Sequence, residues 1–165
     1  MQWKARISAG GALLLGPLCA CGDDARPPAV GLADRAAWAS VETTKETGSA
    51  IIERVSYSSS GLRIWGEVCR PAQAGPHRVL VFTHGGFSGI TDAFGITWEG
   101  GTCEALAESG WVVLASSYRG EDGSDGKIEV CLGEVDDVLE MTRIGLDQPY
   151  ADPSRVAVLG GSHGG

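Results

Sequence analysis

No stretch of this sequence keeps apolar character for the roughly 20 residues that a membrane-crossing helix needs, so a permanent span is the weaker reading of its one apolar run. Histidine is scarce at three residues, and no CxxC spacing joins any of the five cysteines, so a structural zinc site is not expected. The 25 glycines follow no three-residue period, which excludes a collagen-like chain. Basic residues are also in deficit: 13 Lys and Arg face 21 Asp and Glu, for a formal charge of −8. Such a chain repels phosphate backbones over any extended contact, and nucleic acid is not an expected partner. At 165 residues it has room for about one domain, and its 43% hydrophobic content is ordinary for a packed core.

The first 20 residues have the pattern of an export address. Lys4 and Arg6 form a short cationic start, an apolar run follows from Ile7 to Leu18, and small residues close it. Residues 1–20 are expected to be a signal peptide. Leu18-Cys19-Ala20-Cys21 resembles the lipobox of bacterial lipoproteins, which implies cleavage before Cys21 and a lipid on its sulfur. A plain cleaved signal is the alternative. The lipoprotein reading places the chain in the bacterial cell envelope, held to the membrane through the lipid anchor only. Residues 21–49 mix Pro, Gly, Ala and charges without sustained periodicity and read as a flexible tether, with Trp38 as a solvated linker residue.

From residue 50 to 165 strand and helix signals alternate. Ile51–Tyr57 and Leu62–Cys69 are β-rich runs separated by Ser58-Ser59-Ser60-Gly61, a hairpin pattern. Val79–Thr83, Trp111–Ala115 and Arg155–Leu159 are continuously apolar, as expected of parallel strands covered on both faces. Between them, a short helix after Thr102 carries Cys103, Leu106 and Ala107 inward and ends at Gly110. A longer helix is expected from Ile128 to Leu146. Leu132, Val135, Leu139, Thr142 and Leu146 repeat along it as the inward stripe, and Glu134, Asp136, Asp137 and Glu140 form a solvated face.

The chemistry concentrates in Gly160-Gly161-Ser162-His163-Gly164-Gly165. Gly160, Ser162 and Gly164 match G-x-S-x-G directly after a buried strand, the context of a nucleophile elbow. A sharp strand-to-helix turn there strains the serine backbone and lifts its hydroxyl above the sheet. A second element, His84-Gly85-Gly86-Phe87, follows the Val79–Thr83 strand, where a glycine pair exposes N–H groups suited to an oxyanion.

Together with Ser117-Tyr118-Arg119-Gly120 and Asp152-Pro153-Ser154-Arg155-Val156, these motifs resemble the α/β-hydrolase superfamily, nearest to prolyl-oligopeptidase-type catalytic domains and related esterases. The fold implied is α/β, the N-terminal part of an α/β-hydrolase: an antiparallel hairpin, then parallel strands with crossover helices, stopping after the nucleophile elbow. The resemblance makes Ser162 the nucleophile, the N–H groups of Gly86 and His163 the oxyanion hole, and Phe87 a wall of the acyl pocket. It implies a small-molecule ester or peptide substrate, no cofactor and no metal. Arg119 is expected to pair with carboxylates behind the site.

In that fold the triad runs Ser, then acid, then His, and no acid or histidine follows Ser162 here. The chain is therefore expected to be a fragment that does not turn over alone, with an exposed apolar edge at its last strand. Only about 50 residues precede the first strand, which favours an esterase over a peptidase carrying a propeller. The alternative is a noncatalytic exported lipoprotein that retains the fold for binding. Of the cysteines left after export, Cys103 and Cys131 lie near helix starts at the carboxyl edge of the sheet, whereas Cys69 is expected to end an antiparallel strand at the opposite edge. Cys103 with Cys131 is the favoured disulfide, and three unpaired thiols are the alternative.

Overall fold

The computed structural model describes residues 37–90 and 102–165. The signal residues, Cys21, most of the tether, and Phe94 and Trp98, aromatic residues after the glycine turn whose sequence context suits a substrate wall and loop anchoring equally, lie outside the described residues. Six strands form one mixed sheet: β1 Ser40–Glu46, β2 Ala50–Ser59, β3 Leu62–Pro71, β4 His77–Thr83, β5 Trp111–Ser116 and β6 Ala151–Gly160. Their order across the sheet is β1-β2-β3-β5-β4-β6. The β2–β3 hairpin is in the expected place, closed by Ser60 and Gly61 at φ 50° and 80°. β3 pairs antiparallel with β5, and β5, β4 and β6 run parallel. Parallel neighbours need crossovers, which contain α1 Thr102–Glu108 and α2 Gly133–Leu146.

The alternation of side chains along β4 and β5 explains why these runs are apolar throughout. Val79, Val81, Val112 and Leu114 face α2, where Met141 and Ile144 close one core with Val55, Tyr57 and Ile64. Leu80, Phe82, Val113 and Ala115 point to the other face and pack with Cys103 and Ala107 of α1. β6 is the exception among the parallel strands. It lies at the end of the sheet order, and Val158 is 71% exposed.

Three expectations change. First, Ser40–Glu46, inside the stretch read as tether, is a strand paired antiparallel with β2. Trp38 precedes it and docks: its ring lies edge-on to Tyr57 at 6.0 Å, and Nε1 donates to the Tyr150 hydroxyl at 3.2 Å. The exposed pattern of β1 hid it, because an edge strand held mainly by backbone pairing carries no apolar periodicity.

Second, the long helix starts at Gly133 and turns a different face inward. Leu132, Val135 and Leu139 are exposed, whereas Gly133, Glu134, Asp137, Met141 and Ile144 are buried. Two of the supposedly solvated acids are therefore interior, each held by donors described below.

Third, the disulfide joins Cys69 to Cys103, with Cα atoms 5.8 Å apart, and Cys131 is free and exposed. The error lay in assigning Cys69 to the far edge. β3 is the immediate neighbour of β5, so the end of β3 lies beneath α1. The bond closes a 34-residue separation that contains β4 and the turn after it. Reducing it, or replacing both cysteines by alanine, is expected to cost about 3 to 4 kcal/mol in chemical denaturation.

Candidate active site

β6 delivers the chain to a tight turn. Gly161 is still extended at φ −153°, Ser162 switches to φ 55°, and Ser162–Gly164 forms one 3-10 turn. A left-handed serine costs about 1 to 3 kcal/mol and persists only where surroundings enforce it. Here the enforcement is contact with the end of β4. A Cβ on Gly160 would collide with the Thr83 hydroxyl and the Gly164 carbonyl, and one on Gly164 would collide with the carbonyls of Thr83 and His84. Both glycines of the motif are thus required by space. The Thr83 hydroxyl donates to the Gly164 carbonyl at 2.6 Å and ties turn to strand.

Ser162 is exposed, and a Cβ on Gly85 would stand 3.2 Å from the Ser162 Cβ. The structure therefore brings together the two elements singled out in the sequence, the elbow and the His84-Gly85-Gly86-Phe87 turn. Gly86 adopts φ 81°, a left-handed conformation that suits glycine. Phe87 is exposed, its ring 4.7 Å from that of His163.

Each of the three histidines has a partner other than the Ser162 hydroxyl. His77 Nε2 lies 3.0 Å from the Gln73 carbonyl. The His84 ring is buried and stacks on Tyr118 at 4.0 Å. The His163 ring turns toward Phe87 and the Cys131 sulfur, 3.7 Å from Nδ1.

The loop after β5 supports this arrangement from below. The Tyr118 hydroxyl donates to the His84 carbonyl at 3.1 Å. Burial first, then the Glu121 carboxylate, pushes its phenol above the ordinary value, so it remains a donor. Arg119 pairs with carboxylates as expected: Nε and Nη2 bind both oxygens of Asp137, at 3.1 and 2.9 Å, and Nη1 lies 3.2 Å from Glu129. Asp137 holds the guanidinium above its usual range. This pair explains why α2 turns an aspartate inward.

Glu134 explains where α2 begins. Its carboxylate accepts the N–H groups of Val130 and Leu132 at 3.0 and 3.1 Å, as well as that of Glu129. The receiving loop is bent, with Val130 and Cys131 at φ 55° and 63°. Burial raises the Glu134 carboxyl, but these N–H donors outweigh it and hold the group below its ordinary value.

An apolar groove of about 320 Å³ lies between α2 and the elbow, lined by Tyr118, Cys131, Val135, Leu139 and His163. Glu67, Cys69 and Cys103 bring potential metal-binding atoms within 4.8 Å of one another, but both sulfurs are consumed by the disulfide. Sequence reasoning passed over Thr83, Glu121 and Asp122. All three flank recognised motifs, and that adjacency was the available signal.

No protein-family profile matches the chain. An uncharacterized peptidase of Bacillus subtilis, YtmA, is 28% identical over 111 residues, covering 67% of this chain and 41% of that protein. Acetyl xylan esterase 1 from Thermoanaerobacterium superposes with a TM-score of 0.55 at 22% identity, over 76% of this chain and 45% of the esterase. The acylaminoacyl peptidase of Pyrococcus horikoshii gives 0.54 at 22%, over 70% and 20%. The chain spans less than half the length of each. The described residues form part of an α/β-hydrolase fold.

Two outcomes test the supporting loops. Asp137→Asn should lower the unfolding free energy by about 3 to 5 kcal/mol, because it leaves the Arg119 guanidinium buried without its full counter-charge. Glu134 contributes stability that is fully present above its unfolded value near pH 4.3 and is lost as pH falls through its lower folded value. The stability gap between the native chain and Glu134→Gln should therefore shrink as denaturation is repeated from about pH 6 down to about pH 3.

Proposed function

We propose that Ser162 is the nucleophile of an exported serine hydrolase that cleaves small ester or peptide substrates through an acyl-enzyme. The observation that carries this reading is the left-handed, exposed Ser162 between two space-limited glycines, seated against the His84-Gly85-Gly86-Phe87 turn. Oγ adds to the substrate carbonyl carbon while its proton passes to a general base. The carbonyl oxygen takes the negative charge, which the N–H groups of Gly86 and His163 hold. Collapse expels the alcohol or amine, leaves an ester on Ser162, and water then hydrolyses it. Phe87 forms an apolar wall for the acyl group.

His77, His84 and His163 engage Gln73, Tyr118 and Phe87 respectively, which supports a reading in which none of them is the general base and the 165 residues alone do not turn over. Without a base, a serine hydroxyl is a feeble nucleophile. Export with a lipid on Cys21 is part of the same reading. The cationic start and apolar run of residues 1–20 support it, and so does the Cys69–Cys103 bond, which suits an oxidising compartment. The competing reading is a lipoprotein that keeps the fold for binding without catalysis.

A fluorophosphonate probe separates these readings, because it labels only an activated serine. The 165-residue chain should stay unlabelled. A longer form of the protein that carries an acid and a histidine after Ser162 should label, and Ser162→Ala should abolish the label. Strong labelling of the short chain would overturn the inactivity, and no labelling of the longer form would favour the binding protein.

A further inference from the structure

Beneath the glycine turn lies a buried acid that the proposed reaction does not use. The Glu121 side chain is 1% exposed and that of His84 is 0% exposed, with Oε2 and Nε2 3.2 Å apart. Neither Glu121 oxygen nor His84 Nε2 has an aligned hydrogen-bond partner among the described residues. Among the described residues the charged neighbour of Glu121 is His84, and a buried pair of this kind is weak evidence for a stabilising role, since apolar residues in place of the whole pair are commonly neutral or stabilising. The role of Glu121 is therefore to be sought in what His84 touches.

The other ring nitrogen answers this. His84 Nδ1 lies 3.1 Å from the Gly85 carbonyl oxygen, which only accepts, so Nδ1 carries a proton and donates it. That carbonyl belongs to the same planar peptide unit as the Gly86 N–H. Holding the C=O at one end of a rigid plane fixes the direction of the N–H at the other. The ring is in turn fixed by Tyr118 on its face and Glu121 on its edge.

The next residue fixes the far end of the same loop: Asp122 Oδ2 accepts the Ile90 N–H at 2.9 Å, and a Cβ on Gly89 would collide with that carboxylate. Two consecutive acids thus clamp both ends of residues 84–90.

We infer that Glu121 is a positioning residue that aims the Gly86 N–H through His84, an assignment that rests on reading this N–H as an oxyanion donor. The acid touches neither substrate nor nucleophile. Its effect is to stop the imidazole from swinging and the Gly85–Gly86 peptide plane from rotating. A misplacement of about 1 Å at such a donor is worth on the order of a hundredfold in rate.

The test uses Glu121→Gln and Glu121→Met. In the 165-residue chain, Glu121→Met should quicken amide hydrogen exchange across residues 84–90 at least about tenfold beyond any change in the other segments. In a longer form that labels at Ser162, Glu121→Gln should lower the limiting rate constant of fluorophosphonate labelling by about ten- to a hundredfold and leave the half-saturating probe concentration unaltered. Unchanged exchange, an unchanged limiting rate, or a loss that merely tracks a fall in Tm overturns the assignment. A wild-type longer form that never labels overturns the Ser162 reading instead, and the exchange measurement still decides whether Glu121 grips the turn.

Discussion

Two chain segments, Thr83–Gly85 and Gly160–Gly164, pass one another at backbone contact, and the candidate site depends on that closeness. A methyl group on Gly160 or Gly164 would meet a carbonyl oxygen, and one on Gly85 would meet the Gly161 carbonyl at 2.9 Å. The contact has two effects. It makes the left-handed backbone at Ser162 the conformation that fits, and it brings the glycine turn of β4 beside the serine. Adjacent parallel strands supply the closeness directly, since β4 and β6 are paired as far as Thr83 and Gly160.

The remaining architecture keeps those two strand ends in place. β4 is buried on both faces, so it cannot slip without exposing Val79 and Val81 on one side and Leu80 and Phe82 on the other. The loop after β5 then reaches under the glycine turn with Tyr118, Glu121 and Asp122, while Arg119 ties that loop to α2 through Asp137. The acidic composition of the chain is partly explained here. Glu121, Glu134 and Asp137 are interior groups, engaged with an imidazole, backbone N–H groups and a guanidinium respectively.

Much of this was legible in the sequence wherever local chemistry and fold agree. The continuous apolar runs of β4 and β5 announce burial on two faces, the polar turn with Gly61 announces the hairpin, and G-x-S-x-G after a strand announces the elbow. The misreadings share one cause, which is that tertiary partners overrode the local pattern. The stripe of Leu132, Val135 and Leu139 is a regular helical repeat, yet Arg119 and the loop N–H groups draw Asp137 and Glu134 inward instead. The pairing of Cys69 depended on strand order, because β3 meets β5 across an antiparallel boundary that periodicity does not encode. Glu121 was invisible because its partner, the His84 ring, approaches from a separate crossover.

The Cys69–Cys103 bond, with Cys131 exposed as a third sulfur, bears on how this chain must be produced. The three described cysteines admit three different pairings, and two of them would consume Cys131, which sits in the left-handed turn before α2. Synthesis in a reducing bacterial cytosol leaves that choice to chance oxidation during purification. A Cys131→Ser background leaves the native pair as the single pairing among the described cysteines.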